Sequence, residues 1–156
     1  VANTPVAPAD GGEHSMALVS PKGLVHFSLP VNDLEESLKF YTDILGMQFR
    51  GNVGPNGRCV VVGDVNIILV GRAEKVPVDQ PNRQNTALCH QAFQVSSEDF
   101  DRALEGFSEY GIKVDGEIEW RKTGTFNGRS VYFFDPSGNR LELNDPNPPY
   151  WPEGVK

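Results

Sequence analysis

Apolar and polar positions follow two rhythms along this chain, and the same order of rhythms occurs twice. Gly23 to Pro30 (GLVHFSLP) alternates like a strand between a glycine and a proline. Asn32 or Asp33 then caps a helix whose apolar positions Leu34, Leu38, Tyr41 and Leu45 recur at helical spacing, with Gly46 just past its end. Three short strand-like runs follow at 47–52, 57–62 and 65–71, then a polar, proline-containing loop at 72–86. Leu88 to Val95 (LCHQAFQV) restarts the series as a strand, and Ser96 or Ser97 caps a second helix. Phe100, Leu104 and Phe107 mark that helix's apolar face and Gly111 its stop. Runs at 113–120, 127–134 and 139–144 complete the second copy. His26 and His90 hold equivalent places 64 residues apart, and Gly46 and Gly111 are 65 apart, so the copies keep register to within one residue. Each half reads as a βαβββ unit. The pattern predicts an α+β fold of paired βαβββ modules forming a curved mixed sheet around a cleft.

Successive side chains of a strand point to opposite faces. Val25, Phe27 and Leu29 share the more apolar face of the first strand, which should pack on the helices and leave His26 on the other. The same phase in the repeat sets His90 opposite Cys89, Gln91 and Phe93. In NRLELN, Leu141 and Leu143 take the helix side, turning Arg140, Glu142 and Asn144 the way the histidines point. Ser130, Tyr132 and Phe134 share one face of the neighbouring strand. If the sheets curl around a common cleft, His26, His90 and Glu142 converge from three strands. Two imidazoles and a carboxylate form a facial set suited to Fe(II), Mn(II), Zn(II) or Ni(II), with positions left open for substrate.

Composition narrows the partners. The 156 residues carry 14 Lys+Arg against 21 Asp+Glu, a net charge of -7, which disfavours nucleic acid and anionic membrane surfaces. Cys59 and Cys89 each lie in an apolar run and read as reduced, buried packing residues. No stretch is long and apolar enough to span a membrane, and the chain is expected to be cytoplasmic. Residues 1–21 are small, polar and unpatterned and read as an N-terminal arm. The domain spans 22–144, with modules 22–71 and 87–144, and the proline-rich 145–156 reads as a C-terminal strap. Trp120, Tyr150 and Trp151 are expected to bury that strap or a subunit contact.

The segments GLVHFSLPVNDLEESLKFYTDILGM, HQAFQV and VYFFDPSGNRLEL together resemble the vicinal-oxygen-chelate superfamily, over about residues 22 to 144. That group contains glyoxalases, extradiol dioxygenases, fosfomycin-resistance thiol transferases and metal-free bleomycin-binding proteins. The resemblance implies a divalent metal, a small-molecule substrate that chelates it through adjacent oxygens, and a homodimer. A fourth protein ligand, which glyoxalases carry on the last strand of the first module, is absent: aligning VNIILV with GNRLEL through Asn66 and Asn139 sets Leu69 against Glu142. Val131, Tyr132, Asp135, Pro136, Gly138 and Glu142 match the spacing of the extradiol signature, which implies that Tyr132 helps hold the metal-bound substrate. The signature's preceding histidine is replaced by Thr123, Gly124 and Thr125, and the one spare histidine, His14, lies in the arm. Arg121, Lys122 and Arg129 are the cations expected near the cleft wall, and DPSGN is read as a turn.

The leading expectation is a non-haem Fe(II) extradiol-type dioxygenase acting on a catechol-like vicinal diol, with His26, His90 and Glu142 as ligands and Tyr132 beside them. The alternative is a redox-inactive glyoxalase-like lyase or isomerase, or a fosfomycin-type thiol transferase, using Mn(II), Ni(II) or Zn(II). A second alternative is a metal-free drug-binding resistance protein.

Overall fold

The computed structural model describes residues 18–19, 21–78 and 89–155. Its elements run β1 (His26–Val31), α1 (Leu34–Lys39) continued by a π-helical segment (Phe40–Ile44), β2 (Gln48–Asn52), β3 (Gly57–Val62) and β4 (Val65–Gly71). The second module follows as β5 (Gln91–Gln94), α2 (Ser97–Glu109), β6 (Glu119–Arg121), β7 (Gly128–Phe134) and β8 (Arg140–Asp145). His14 and the rest of the expected arm up to Ala17, like Leu88, lie outside the described residues.

Local chemistry sets the helix ends. Asp33 caps α1, its Oδ1 accepting from the amides of Glu35 and Glu36 at 3.0 and 2.9 Å. Those hydrogen bonds, the Glu36 one above all, lower the Asp33 carboxyl pKa. Ser96 caps α2 in the same way through the Asp99 amide. Gly46 and Gly111 follow the two helical segments with φ of 67° and 65°, left-handed values at which a side chain is disfavoured.

The two modules form separate four-stranded mixed sheets, ordered β1-β4-β3-β2 and β5-β8-β7-β6. In each, the first strand lies parallel to the last and the other pairs are antiparallel. Each sheet with its helix is one βαβββ module, so the chain has the α+β fold of paired βαβββ modules expected from the repeat. The expected strand over 113–120 shrinks to β6 and a lone Val114–Phe133 bridge. Gly116, at φ 84°, turns the chain away between them.

The sheets share one core on their helix sides. It joins Leu29, Val31, Tyr41, Ile67 and Leu69 of the first module to Phe100, Phe107, Val131, Phe133 and Leu141 of the second. Full burial of each such side chain is worth about 1.5–3 kcal/mol. Cys59 is buried as expected, whereas Cys89 is exposed because it precedes β5 rather than lying within it.

The DPSGN segment does more than turn. Asp135 Oδ1 accepts from the amides of Ser137 and Asn139, and Oδ2 accepts from the Asn139 amide group and from the Tyr41 hydroxyl of the first module at 2.9 Å. Asn139 Nδ2 donates to Pro30 O at 3.0 Å, the Asn32 amide donates to Ser137 Oγ at 2.8 Å, and Arg72 reaches Ser137 O. The junction is buried, and that burial raises the pKa of the Asp135 carboxyl despite these donors.

Candidate functional site

Strand alternation in the second sheet puts Glu119 and Arg121 of β6, Ser130 and Tyr132 of β7, and Glu142 and Asn144 of β8 on the face away from the helices. The register opposes Tyr132 to Glu142 and Ser130 to Asn144. Ala92 of β5 pairs with Glu142 from the other side, and its small side chain leaves room above the carboxylate. His90, just ahead of β5, fills that room: its Nε2 is 2.8 Å from Glu142 Oε2. Glu142 is only 5% exposed, so its charge is costly unless paired.

The other carboxylate oxygen faces a cation. Arg121 Nη2 is 3.3 Å from Glu142 Oε1 and donates to Ser130 Oγ at 2.8 Å, while its Nη1 donates to Glu119 at 3.1 Å. Asn144 Nδ2 also donates to Ser130 Oγ, at 3.0 Å. Both lone pairs of that hydroxyl are thereby engaged, which leaves its proton to donate onward. Arg121 Nε is buried without a hydrogen-bond partner among the described residues. A guanidinium with a donor to spare beside a hydroxyl proton is chemistry that suits an oxyanion.

Tyr132 completes the group. Its ring meets His90 edge-on with centroids 5.2 Å apart, and the Arg140 guanidinium sits 4.0 Å over it, tethered by Asp115 at 2.7 Å. Burial pushes the Tyr132 hydroxyl pKa up, with Arg121 beside it pulling the other way and Glu142 and Glu119 adding to the rise. Its protonated form is the resident one at neutral pH.

The expected ligand triad is assembled only in part. His90 and Glu142 meet, and His26 does not join them: among the described residues, no group of three or more His, Cys, Asp or Glu is placed to hold a metal ion. His26 lies in the other sheet, exposed, on a face shared with Ser28 and Pro30. Asn66, paired with His26, accepts from Arg50 at 3.1 Å on that face. The first-module counterpart of Glu142 is a different residue from the one the alignment through Asn66 and Asn139 picks. Ser28 pairs with Ile68 as Ala92 pairs with Glu142, so Ile68 is the counterpart of Glu142 and Leu69 belongs to the core.

Arg129 is not a cleft cation. It faces the helices, bound to Asp145 at 2.8 Å and Asp101 at 2.6 Å with its guanidinium 4.3 Å from the Phe100 ring. Trp120 lies on that side too, with Tyr150 and Trp151 at ring distances of 5.4 and 6.2 Å and Lys122 against Trp151. Ser130 was not among the residues expected to act, although its place two before Tyr132 in GRSVYFF was the available signal. The donor set of imidazole and buried carboxylate fits a borderline divalent cation, with His90 and Glu142 as the residues this sheet would offer.

Residues 23–143 match the Glyoxalase/Bleomycin resistance protein/Dioxygenase superfamily, and the chain belongs to it. The glutathione transferase FosA of Serratia marcescens is 30% identical over 125 residues, covering 79% of this chain and 80% of that protein. The metallothiol transferase FosB of Staphylococcus epidermidis is 28% identical over 122 residues, covering 76% and 78%. The fosfomycin resistance protein FosX of Listeria monocytogenes, solved with Mn(II) and 1S,2S-dihydroxypropylphosphonic acid, superposes with a TM-score of 0.65 at 22% identity, over 82% of this chain and 95% of that one. Among the described residues no helix is long and apolar enough to cross a membrane.

Proposed function

We propose that this protein is a divalent-metal enzyme of the thiol-transferase kind, which adds a thiol to a small electrophile carrying an oxyanion, such as an epoxyphosphonate. The observation that carries this is the Glu142 carboxylate, shared between the His90 imidazole and the Arg121 guanidinium, so that metal donors and anion donors adjoin. The named thiol transferases among its relatives favour this over ring cleavage, and so does the lack of a further histidine among the described residues.

His90 and Glu142 would hold the metal together with His26 of a second copy, in a homodimer whose uncovered sheet faces meet. Bound there, a Mn(II)-like ion would supply Lewis-acid polarisation of a substrate oxygen. Arg121 and the Ser130 hydroxyl orient the oxyanion, with Asn144 fixing the rotor of Ser130. Tyr132 donates a hydrogen bond from its hydroxyl to the substrate. In the reaction a carbon–sulfur bond forms as an epoxide carbon–oxygen bond breaks, and the thiol's proton ends on the released oxygen.

The test is incubation of protein reconstituted with Mn(II), or with Fe(II) under anaerobic conditions, with glutathione and fosfomycin, following thiol loss and adduct mass. Metal-dependent adduct formation supports the proposal. Diol formation without thiol loss would make it a hydrolase, and oxygen uptake on a catechol panel with Fe(II) would return it to the dioxygenase class.

A further inference from the structure

We infer that Asp115 and Arg140 are positioning residues, whose ion pair spans β7 and holds the Tyr132 ring at the tilt that keeps its hydroxyl beside Arg121. This rests on the role proposed above for that hydroxyl, as a donor to substrate.

The edge of the second sheet makes the pair possible. β6 covers β7 only from Gly128 to Ser130. Beyond it, residues 113–115 take over the edge: the Phe134 amide donates to Lys113 O at 3.2 Å, Val114 bridges Phe133, and the Asp115 amide donates to Tyr132 O at 2.8 Å. Gly116 then turns the chain away. Phe133 lies in the core, so Val114 opposite it faces the helix side, and Asp115, one residue on, faces the other way with Tyr132. Arg140 stands on β8, across the strand, paired with Phe134 and on the face it shares with Glu142. The 2.7 Å bond from Arg140 Nε to Asp115 Oδ2 therefore crosses β7 from one neighbour to the other, on the Tyr132 side of the sheet.

The ring needs such a hold. The torsion about the bond that joins a tyrosine ring to Cβ is broad, so the backbone alone does not set the tilt of Tyr132. Two contacts do: the Arg140 guanidinium 4.0 Å over the ring face, and His90 meeting the ring at an interplanar angle of 89°. Asp115 binds Arg140 at Nε, which fixes where the guanidinium lies over the ring. As an ion pair alone it would add little to stability, because the Asp115 side chain is 43% exposed and screened by solvent. Its consequence lies in geometry. The hydroxyl sits at the far end of the ring, where a small tilt moves it furthest, and a misplacement of about 1 Å can cost about a hundred-fold in rate.

The test uses the whole chain carrying 3-fluorotyrosine at its four tyrosines, as parent, Asp115→Asn, Arg140→Met and Arg140→Lys. The Tyr132 resonances are those missing from Tyr132→Phe. Fluorine NMR of the parent should give two Tyr132 signals, one for each side of a held ring, and Asp115→Asn and Arg140→Met a single averaged one. Arg140→Lys, which keeps the charge but not the plane, should give broadened, intermediate signals. One averaged signal in the parent, or two unchanged signals in both Asp115→Asn and Arg140→Met, would overturn the inference. Turnover of fosfomycin with glutathione and Mn(II) is the second readout. There kcat/KM should fall roughly ten- to a hundred-fold in Asp115→Asn and in Arg140→Met, with no further fall when Tyr132→Phe is added. Losses that multiply with that of Tyr132→Phe would give the pair a role apart from Tyr132 and overturn it too. An inert parent whose fluorine signals respond as expected would defeat the transferase reading and leave the ring-holding pair standing.

Discussion

Glu142 and His90 meet at 2.8 Å, Oε2 to Nε2, across the edge where β5 begins beside β8. The carboxylate is nearly sealed from water, and the imidazole takes one of its oxygens while Arg121 faces the other. Replacement by glutamine keeps shape and hydrogen bonding but removes the anionic donor. Glu142→Gln is therefore expected to fold with an unchanged circular dichroism spectrum and to bind Mn(II) far more weakly. Loss of an outer-shell partner alone costs about 10–100-fold in affinity, so ten-fold is the floor for losing the ligand itself. Titration calorimetry with Mn(II) measures this, and parent-like affinity would remove Glu142 from the ligand set.

The position of His26 in the other sheet makes a separate prediction. His26→Ala and Glu142→Gln chains should each fail to bind Mn(II) at a complete site. When the two are unfolded together and refolded at equal amounts, random pairing in a two-fold dimer restores about a quarter of the parental sites. Full binding by His26→Ala alone would exclude that histidine. No recovery from the mixture, with heterodimers demonstrated by mass, would place all ligands within one chain.

Arg121 holds three neighbours at once, Glu119, Ser130 and Glu142, and has a buried Nε without a partner among the described residues. Arg121→Met retains the aliphatic stem while removing the charge. Hydrogen bonds to charged groups contribute about 1.5–3 kcal/mol, so inorganic phosphate or a phosphonate should bind roughly 10- to 100-fold more weakly. Lysine at the same place should recover part of that binding, since it restores charge but not the planar fork. An anion affinity indifferent to both substitutions would move the oxyanion elsewhere.

The sequence made the strand faces legible and left the meeting of the sheets hidden. The runs 57–62 and 65–71 coincide with β3 and β4 because their apolar stretches, CVVV and IILV, lie on either side of a turn at Gly63 and Asp64. Alternation also set Glu142 with Asn144 and Ser130 with Tyr132, and the register brings the two pairs to a common face. It failed at 113–120, where Gly116 bends the chain, and at Leu69, because Asn66 lies inside β4 whereas its alignment partner Asn139 lies in the turn before β8. Alternation fixes the face on which His26 lies, but not which sheet that face meets. That is decided by contacts such as Tyr41 with Asp135, 94 positions apart, which no local pattern encodes.

The opposite face of the second sheet gives a prediction about stability alone. Arg129 and Asp145 are buried to 4% and 1% side-chain exposure and paired at 2.8 Å, and Gly128 beside them leaves space that a Cβ would take from Asp145 O. Removing one partner of a buried pair strands the other's charge, at about 3–5 kcal/mol. Arg129→Met should therefore lower the urea midpoint strongly at pH 7. The sign with pH follows from Asp145: burial works to raise its carboxyl pKa, yet hydrogen bonds from Ser97, Arg129 and the Asn147 amide outweigh it and hold the pKa below the ordinary value of 3.8. A depressed carboxylate contributes stability that is present above its unfolded pKa and is lost as pH falls through the folded one. The gap between parent and Arg129→Met should thus be widest near neutrality, narrow as the variant's Asp145, without its cation, takes up a proton first, and finish closing only at lower pH where the parent's depressed Asp145 is protonated too. A gap that stayed constant down to strong acid would assign the loss to packing of the Arg129 stem against Phe100 rather than to the ion pair.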